Sequence, residues 1–229
     1  MRQDRSARIA SIHIGRVAPL GSRAVPSGFV KHRVEGPVTV GAEGLAGDEQ
    51  ADRTVHGGPE KAVYAYALSH YPVWSAAFPA HAEQFGPGSM GENLAIESMD
   101  ETDLCVGDIH AIGHVLLQVC QPRQPCFKFA LRFGNNRLPK AMVQSERSGW
   151  YYSVVRGGTI TAGDRISLHS RPNPDFPFSR LIQIVYRGQP SVDELTRMAN
   201  MPGLASQWRQ QARTAIGKPE NSPSQGVFS

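Results

Sequence analysis

DIHAIGHVLLQVCQ, residues 108–121, decides the fold. Two short runs rich in Ile, Val and Leu, 108–113 and 115–121, meet at a glycine, and branched apolar residues in runs this short form strands rather than helices. The same character recurs outward along the chain at 9–17, 37–40, 62–66, 151–155 and 164–169, with Gly, Pro and Asp separating most of the segments. The pattern predicts a mainly β (α+β) chain, a many-stranded sheet or barrel. Two short helices interrupt it, at 69–78 and at 127–133. From 170 to 179 the chain reads SRPNPDFPFS, whose three prolines stop regular structure. The expected division is a β domain at 1–170, a linker at 171–179, and three short helices at 181–186, 192–201 and 204–216 within a small subdomain at 180–217. A polar tail at 218–229 is expected to be disordered.

The composition narrows the classes of function. With 229 residues, 40% of them apolar, the chain can form one β domain and a small appendage. It has no run approaching the ~20 apolar residues of a spanning helix, and its first residues, MRQDRSARIA, lead into no apolar signal segment. A cytoplasmic protein with no membrane association is expected. Three cysteines, Cys105, Cys120 and Cys126, suit a reducing compartment and leave a free thiolate available. The net charge of +4 attracts anions, but 24 basic against 20 acidic residues show no basic stripe, so stable nucleic-acid binding is not expected.

Three stretches carry candidate chemistry. In GDEQADRTVHGGPEKAVYAY (47–66), Gly47, Gly57 and Gly58 lie beside Asp48, Asp52, His56 and Lys61. Such a turn with a nearby lysine can present amide donors to a phosphate or a pterin edge, although a tight hairpin with turn aspartates reads the same way. The spacing is not that of a P-loop, and no Ser or Thr follows the lysine. In QPRQPCFKF (121–129), prolines stiffen the chain and Arg123 and Lys128 flank Cys126 just ahead of a predicted helix. Nearby cations favour the thiolate, the form that ligates a soft metal or attacks an electrophile. In GSMGENLAI (88–96) and SGWYYSVVRGG (148–158), Glu92, Asn93, Gly149 and Trp150 stand where turns enter strands, as pocket-mouth residues or as ordinary turn and core chemistry.

Taken in order, Gly47-Asp48, Asp52, His56-Gly57-Gly58, Lys61-Ala62-Val63-Tyr64, Gly91-Glu92-Asn93-Leu94, Val106-Gly107-Asp108 and Pro122-Arg123-Gln124-Pro125-Cys126 resemble the MOSC family, the molybdenum cofactor sulfurase C-terminal domain. The likeness runs from about residue 9 to 169, and the segment after 178 resembles the three-helix extension of the bacterial YiiM-type members. The resemblance implies a distorted mixed β-barrel with a molybdenum cofactor (Mo-molybdopterin) in a cleft, its metal bound by Cys126. It implies Asp48, Gly57, Gly58, Lys61, Asn93, Arg123, Lys128 and Trp150 as cofactor-binding residues, with His56 or Asp52 as proton source. The implied activity is reduction of a small N-hydroxylated compound, of hydroxylaminopurine or amidoxime type. At the level of the family alone there is also an association with pyridoxal phosphate. The chain has no flavin, haem or Fe–S motif, so a separate electron-donating reductase is expected as partner. The helical extension offers a surface for a homodimer. The alternatives are a non-catalytic carrier of molybdenum cofactor or sulfur, and a cofactor-free thiol enzyme in which His56 activates Cys126. Two departures from the family pattern stand out. Cys120 precedes the QPR motif, where it reads as a buried small hydrophobe sooner than as a second thiol near the site, and Met90 precedes Gly-Glu-Asn at the expected cleft rim.

Overall fold

The computed structural model describes residues 6–51 and 57–217. Asp52, His56 and the expected tail lie outside the described residues. The deciding stretch forms strands β9 (Ile109–Ile112) and β10 (Val115–Pro122), paired antiparallel through a two-residue connection. Gly113 stands first in that connection at φ +57°, a conformation L side chains resist. β9 alternates buried and half-buried residues, whereas the last four residues of β10 are all buried, because other elements cover both sides there.

Around this pair the chain lays down β1 (Arg8–Ile14), β2 (Ala18–Leu20), β3 (Val25–Ser27), β4 (His32–Val34), β5 (Val38–Gly41), β6 (Gly44–Leu45), β7 (Val63–Ala67) and β8 (Leu94–Glu97). After β10 come β11 (Trp150–Arg156), β12 (Gly158–Ile160) and β13 (Ser167–Ser170). The large sheet has the order β13-β9-β10-β11-β7-β8-β1-β4, antiparallel except for β7 and β8. That parallel pair needs a crossover, which α1 (His70–Ala77) and the chain behind it provide. The sheet curls so far that the start of β1 bonds to the segment leading into β13: Ile9 N donates to Asp164 O, and Gly163 N donates to Ile9 O. The mainly β expectation holds, as a mixed, curled sheet with strands β12-β5-β6 alongside.

β7, Val-Tyr-Ala-Tyr-Ala, is buried at every position and divides two cores. Val63 and Ala65 join the larger one, with Ile9, Leu117, Trp150 and Tyr152. Tyr64 and Tyr66 face an aromatic cluster with Phe29, Trp74, Phe129 and Phe133. Helices α2 (Phe127–Phe133) and α3 (Leu138–Ser145) supply its far wall; α2 matches its predicted bounds, whereas α3 starts with a proline in its first turn and was not predicted.

The C-terminal helices are α4 (Phe178–Arg187), α5 (Val192–Ala199) and α6 (Ser206–Ile216). Ser191 and Glu194 cap α5 reciprocally, as the acidic first turn suggested. The segment connecting these helices to the sheet is anchored. Arg171 makes two bonds to the fully buried Asp108 at 2.8 and 2.9 Å, Asn173 donates to Val106 O and Pro202 O, and Phe176 is buried. Phe176, Leu181, Ile184 and Trp208 share the larger core with the strands.

Candidate functional site

Cys126 lies in the wall of a cleft lined also by Phe29, Lys31, Asp48, Lys61, Tyr64, Asn93, Arg123, Lys128 and Tyr151. The half-exposed thiol is the cap residue of α2, its own backbone still extended after Pro125. Four cations therefore share one recess with a free cysteine. Arg123 is the most deeply set: its guanidinium lies 4.7 Å from the Phe29 ring centre, 5.0 Å from Tyr64 and 5.8 Å from Phe129. Burial opposes its charge, but Tyr64, Tyr151 and Cys126 outweigh it and hold the pKa above the ordinary arginine value. Lys128 donates to Pro26 O at 3.0 Å, tying α2 to β3 across the mouth.

Asp48 and Asn93 form the frame behind the recess. Asn93 Oδ1 accepts from Tyr64 N at 3.0 Å, and its Nδ2 donates to His13 O at 3.2 Å and Asp48 Oδ2 at 2.8 Å. One amide thus joins β1, β7 and the entry to β8. Asp48 Oδ1 accepts from Gly15 N at 2.7 Å and from the Lys31 ammonium. Both side chains of that ion pair are 7% exposed. Lys31, just ahead of β4, belongs to no motif in the sequence.

Glu92 acts one layer deeper. Fully buried, its carboxylate accepts from Tyr71 Oη and Gly88 N on one oxygen and from Met90 N at 3.0 Å on the other. That fixes the turn whose Met90 carbonyl accepts from Arg123. Glu92 is thus a scaffold residue and is not among those lining the cleft. Met90 is likewise fully buried in the aromatic cluster, so it does not form the rim the sequence suggested.

The glycines hold the loop. Gly58, at φ +90°, donates its N–H to Gln50 Oε1 at 2.9 Å, while Gln50 Nε2 donates to Lys61 O at 3.2 Å. Gln50 so pins the chain on both sides of the undescribed residues 52–56. Gly57 and Gly58 do not themselves line the cleft. Trp150 is a correction of face: it is 0% exposed in the larger core, and its neighbour Tyr151 lines the cleft, because adjacent strand residues point to opposite sides. The Tyr151 ring centre lies 4.9 Å from that of Tyr64, with the two planes tilted by 33°.

Cys120 is a buried donor, its Sγ bonded to Glu60 O at 2.9 Å and Tyr151 O at 3.3 Å, and burial pushes its thiol far above the ordinary range. It supplies no second reactive thiol. The helical extension buttresses this wall from behind. Tyr186 Oη donates to Arg123 O at 2.5 Å, Gln207 Nε2 donates to Gln121 Oε1 at 2.8 Å, and Ser206 makes two bonds to the Glu60 carboxylate.

Buried titratable groups set an expected pH response. Burial lowers His13 and His110 to about 4, so they favour folding when neutral; their contribution is full above 6.5 and is lost as pH falls towards 4. Burial raises Glu92 to about 7 despite its three donors, so its contribution is full below 4.5 and is lost as pH rises to 7. Two histidines oppose one carboxylate, so stability should fall by roughly 2 kcal/mol from pH 6.5 to 4.5. Urea unfolding at the two pH values measures it, and a gain on acidification would refute this balance.

A curled mixed sheet with a cysteine-bearing cleft, buttressed by three C-terminal helices, defines the class: the chain belongs to the MOSC-domain family, whose domain matches residues 52–167. Among particular proteins, it is similar to protein YiiM of Escherichia coli K12, 35% identical over 198 residues that cover 86% of this chain and 88% of that one. A Gibberella moniliformis protein named reductase is 36% identical over 197 residues; the match covers 85% of this chain but 35% of the fungal protein's length. The crystal structure of YiiM from Geobacillus stearothermophilus superposes with a TM-score of 0.78 at 30% identity, covering 92% of this chain and all of that one. The Escherichia coli YiiM structure gives 0.74 at 30% identity, covering 90% and 96%.

Proposed function

We propose that the cleft binds a molybdenum cofactor through Cys126 and that the protein is an oxidoreductase acting on small N-hydroxylated compounds. The observation that carries this reading is the free Cys126 thiol sharing one recess with Lys31, Lys61, Arg123 and Lys128. A thiolate is a soft ligand suited to molybdenum, and cations suit a phosphate-bearing pterin, so the donor set fits the group. When bound, the cofactor supplies two-electron redox chemistry at its metal.

The chain's own part is to bind, orient and exclude water. Cys126 is the metal ligand, and Lys61, Arg123 and Lys128 neutralise the anionic cofactor. Asp48 and Asn93 fix the cleft wall, Gly58 bonds to Gln50, and Gly57 is proposed to act beside it. Tyr64 and Tyr151 offer an aromatic wall to a planar substrate. Among the described residues no helix is long and apolar enough to cross a membrane; a cytoplasmic location is part of the same proposal. A separate electron donor completes the system, and the fungal relative, much longer than this chain and named a reductase, supports that arrangement. A homodimer through the helical extension is part of the same proposal.

The test is turnover. Protein from a cofactor-producing host, given reduced viologen and an amidoxime or a hydroxylaminopurine, is expected to form amidine or amine over many cycles. Release of cofactor or sulfur in single stoichiometric amount, with no turnover, would overturn the enzyme reading in favour of a carrier.

A further inference from the structure

We propose that Lys31, held by Asp48, is the acid that protonates the departing oxygen of the N-hydroxylated substrate; this rests on the reductase reading above. Cleaving R–NH–OH consumes two electrons and two protons and yields R–NH2 and water. The electrons come from the bound cofactor, recharged by a low-potential one-electron reductant such as reduced viologen. As the N–O bond breaks, Lys31 gives one proton to the oxygen, which keeps its own hydrogen and leaves as water, and nitrogen takes the second proton from solvent.

The geometry singles out Lys31 among the cleft groups. Its side chain is 7% exposed yet lines the same cleft as Cys126. Asp48 fixes its direction, and Asp48 is itself fixed by Gly15 N and Asn93 Nδ2. Among the described residues Asp48 is the one partner of the ammonium, which leaves two N–H donors for a ligand. The other groups in the recess are poorer acids. Arg123 holds its proton too strongly and burial raises Tyr64 and Tyr151, while Lys61 and Lys128 line the cleft without the Asp48 carboxylate that orients Lys31.

The electrostatics agree. Burial lowers the Lys31 pKa, Asp48 and Glu92 oppose that, and Arg123 adds to it. His13 on β1 feels the charge of both Lys31 and Arg33, Glu49, Lys61, Cys126 and Lys128 line the same cleft, and Glu83 and Arg132 line a second depression with it. A lysine held below its ordinary value gives up its proton more readily than an exposed lysine does. Recharging also has a path, since Lys31 borders a second, polar depression formed with Glu83, Gln84, Ser89 and Arg132.

The experiment compares wild type, Lys31→Met and Lys31→Arg, each assayed for molybdenum, for turnover from pH 5 to 9, and, without cofactor, for lysine pKa by trace acetylation and mass spectrometry. At equal metal content, Lys31→Met is expected to lower kcat about 100-fold or more, with KM little changed and the pH profile altered. Lys31→Arg, which keeps the charge, is expected to fold as wild type does and to stay slow. In the cofactor-free wild type, Lys31 should titrate below the exposed lysines. A Met variant with full metal, kcat within about threefold and an unchanged pH profile would overturn the proposal. If metal-loaded wild type reduces no N-hydroxylated compound, the reductase reading fails separately, and the acetylation decides for Lys31. There, an ordinary lysine pKa overturns its role as an acid, and a lowered one supports it.

Discussion

Asp48→Ala is expected to lower the unfolding free energy by about 3–5 kcal/mol, the cost of removing one partner from a buried ion pair. Alanine would strand the Lys31 ammonium at 7% exposure, leave Gly15 N without its acceptor and leave Asn93 Nδ2 with His13 O alone. The cost comes mainly from the uncompensated charge, so the double variant Asp48→Ala/Lys31→Met should recover part of it. Chemical denaturation of the two single variants and the double gives the coupling directly. If Asp48→Ala costs less than about 1 kcal/mol, or the double variant is simply the sum of the singles, Lys31 and Asp48 are not the buried pair described here.

How much of this was legible beforehand follows from what kind of physics each feature rests on. Residues 108–121 declared two strands because branched apolar residues repeat there in short runs, and the structure places strands at 109–112 and 115–122. Cys126, Arg123 and Lys128 lie within six residues of one another, so their common position needed only a stiff local segment. Lys31 lay beyond reach: it stands before His32 and Arg33 with no motif around it, and only the sheet brings it to Asp48. Trp150 and Tyr151 show the finer difficulty. The strand was evident, but the face was not, since a shift of one residue exchanges core for cleft. The prolines at 172–177 announced a break in regular structure, yet not that Arg171 and Phe176 would anchor the break to the larger core.

Cys126 bears the central claim. Its thiol is free, half-exposed and the one sulfur among the cleft-lining residues, while Cys120 is buried and bonded to two carbonyls. Replacing it with alanine removes the proposed metal ligand and touches no hydrogen-bonded network of the core, so the fold should persist while metal retention collapses. The direct measurement is elemental analysis of wild type and Cys126→Ala, both made in a cofactor-producing host and carefully desalted. The account predicts near-stoichiometric molybdenum in the wild type and a loss of about tenfold or more in the variant, as expected when a metal site loses its protein ligand. Equal molybdenum in the two proteins, or none in either despite ample cofactor supply, would contradict it.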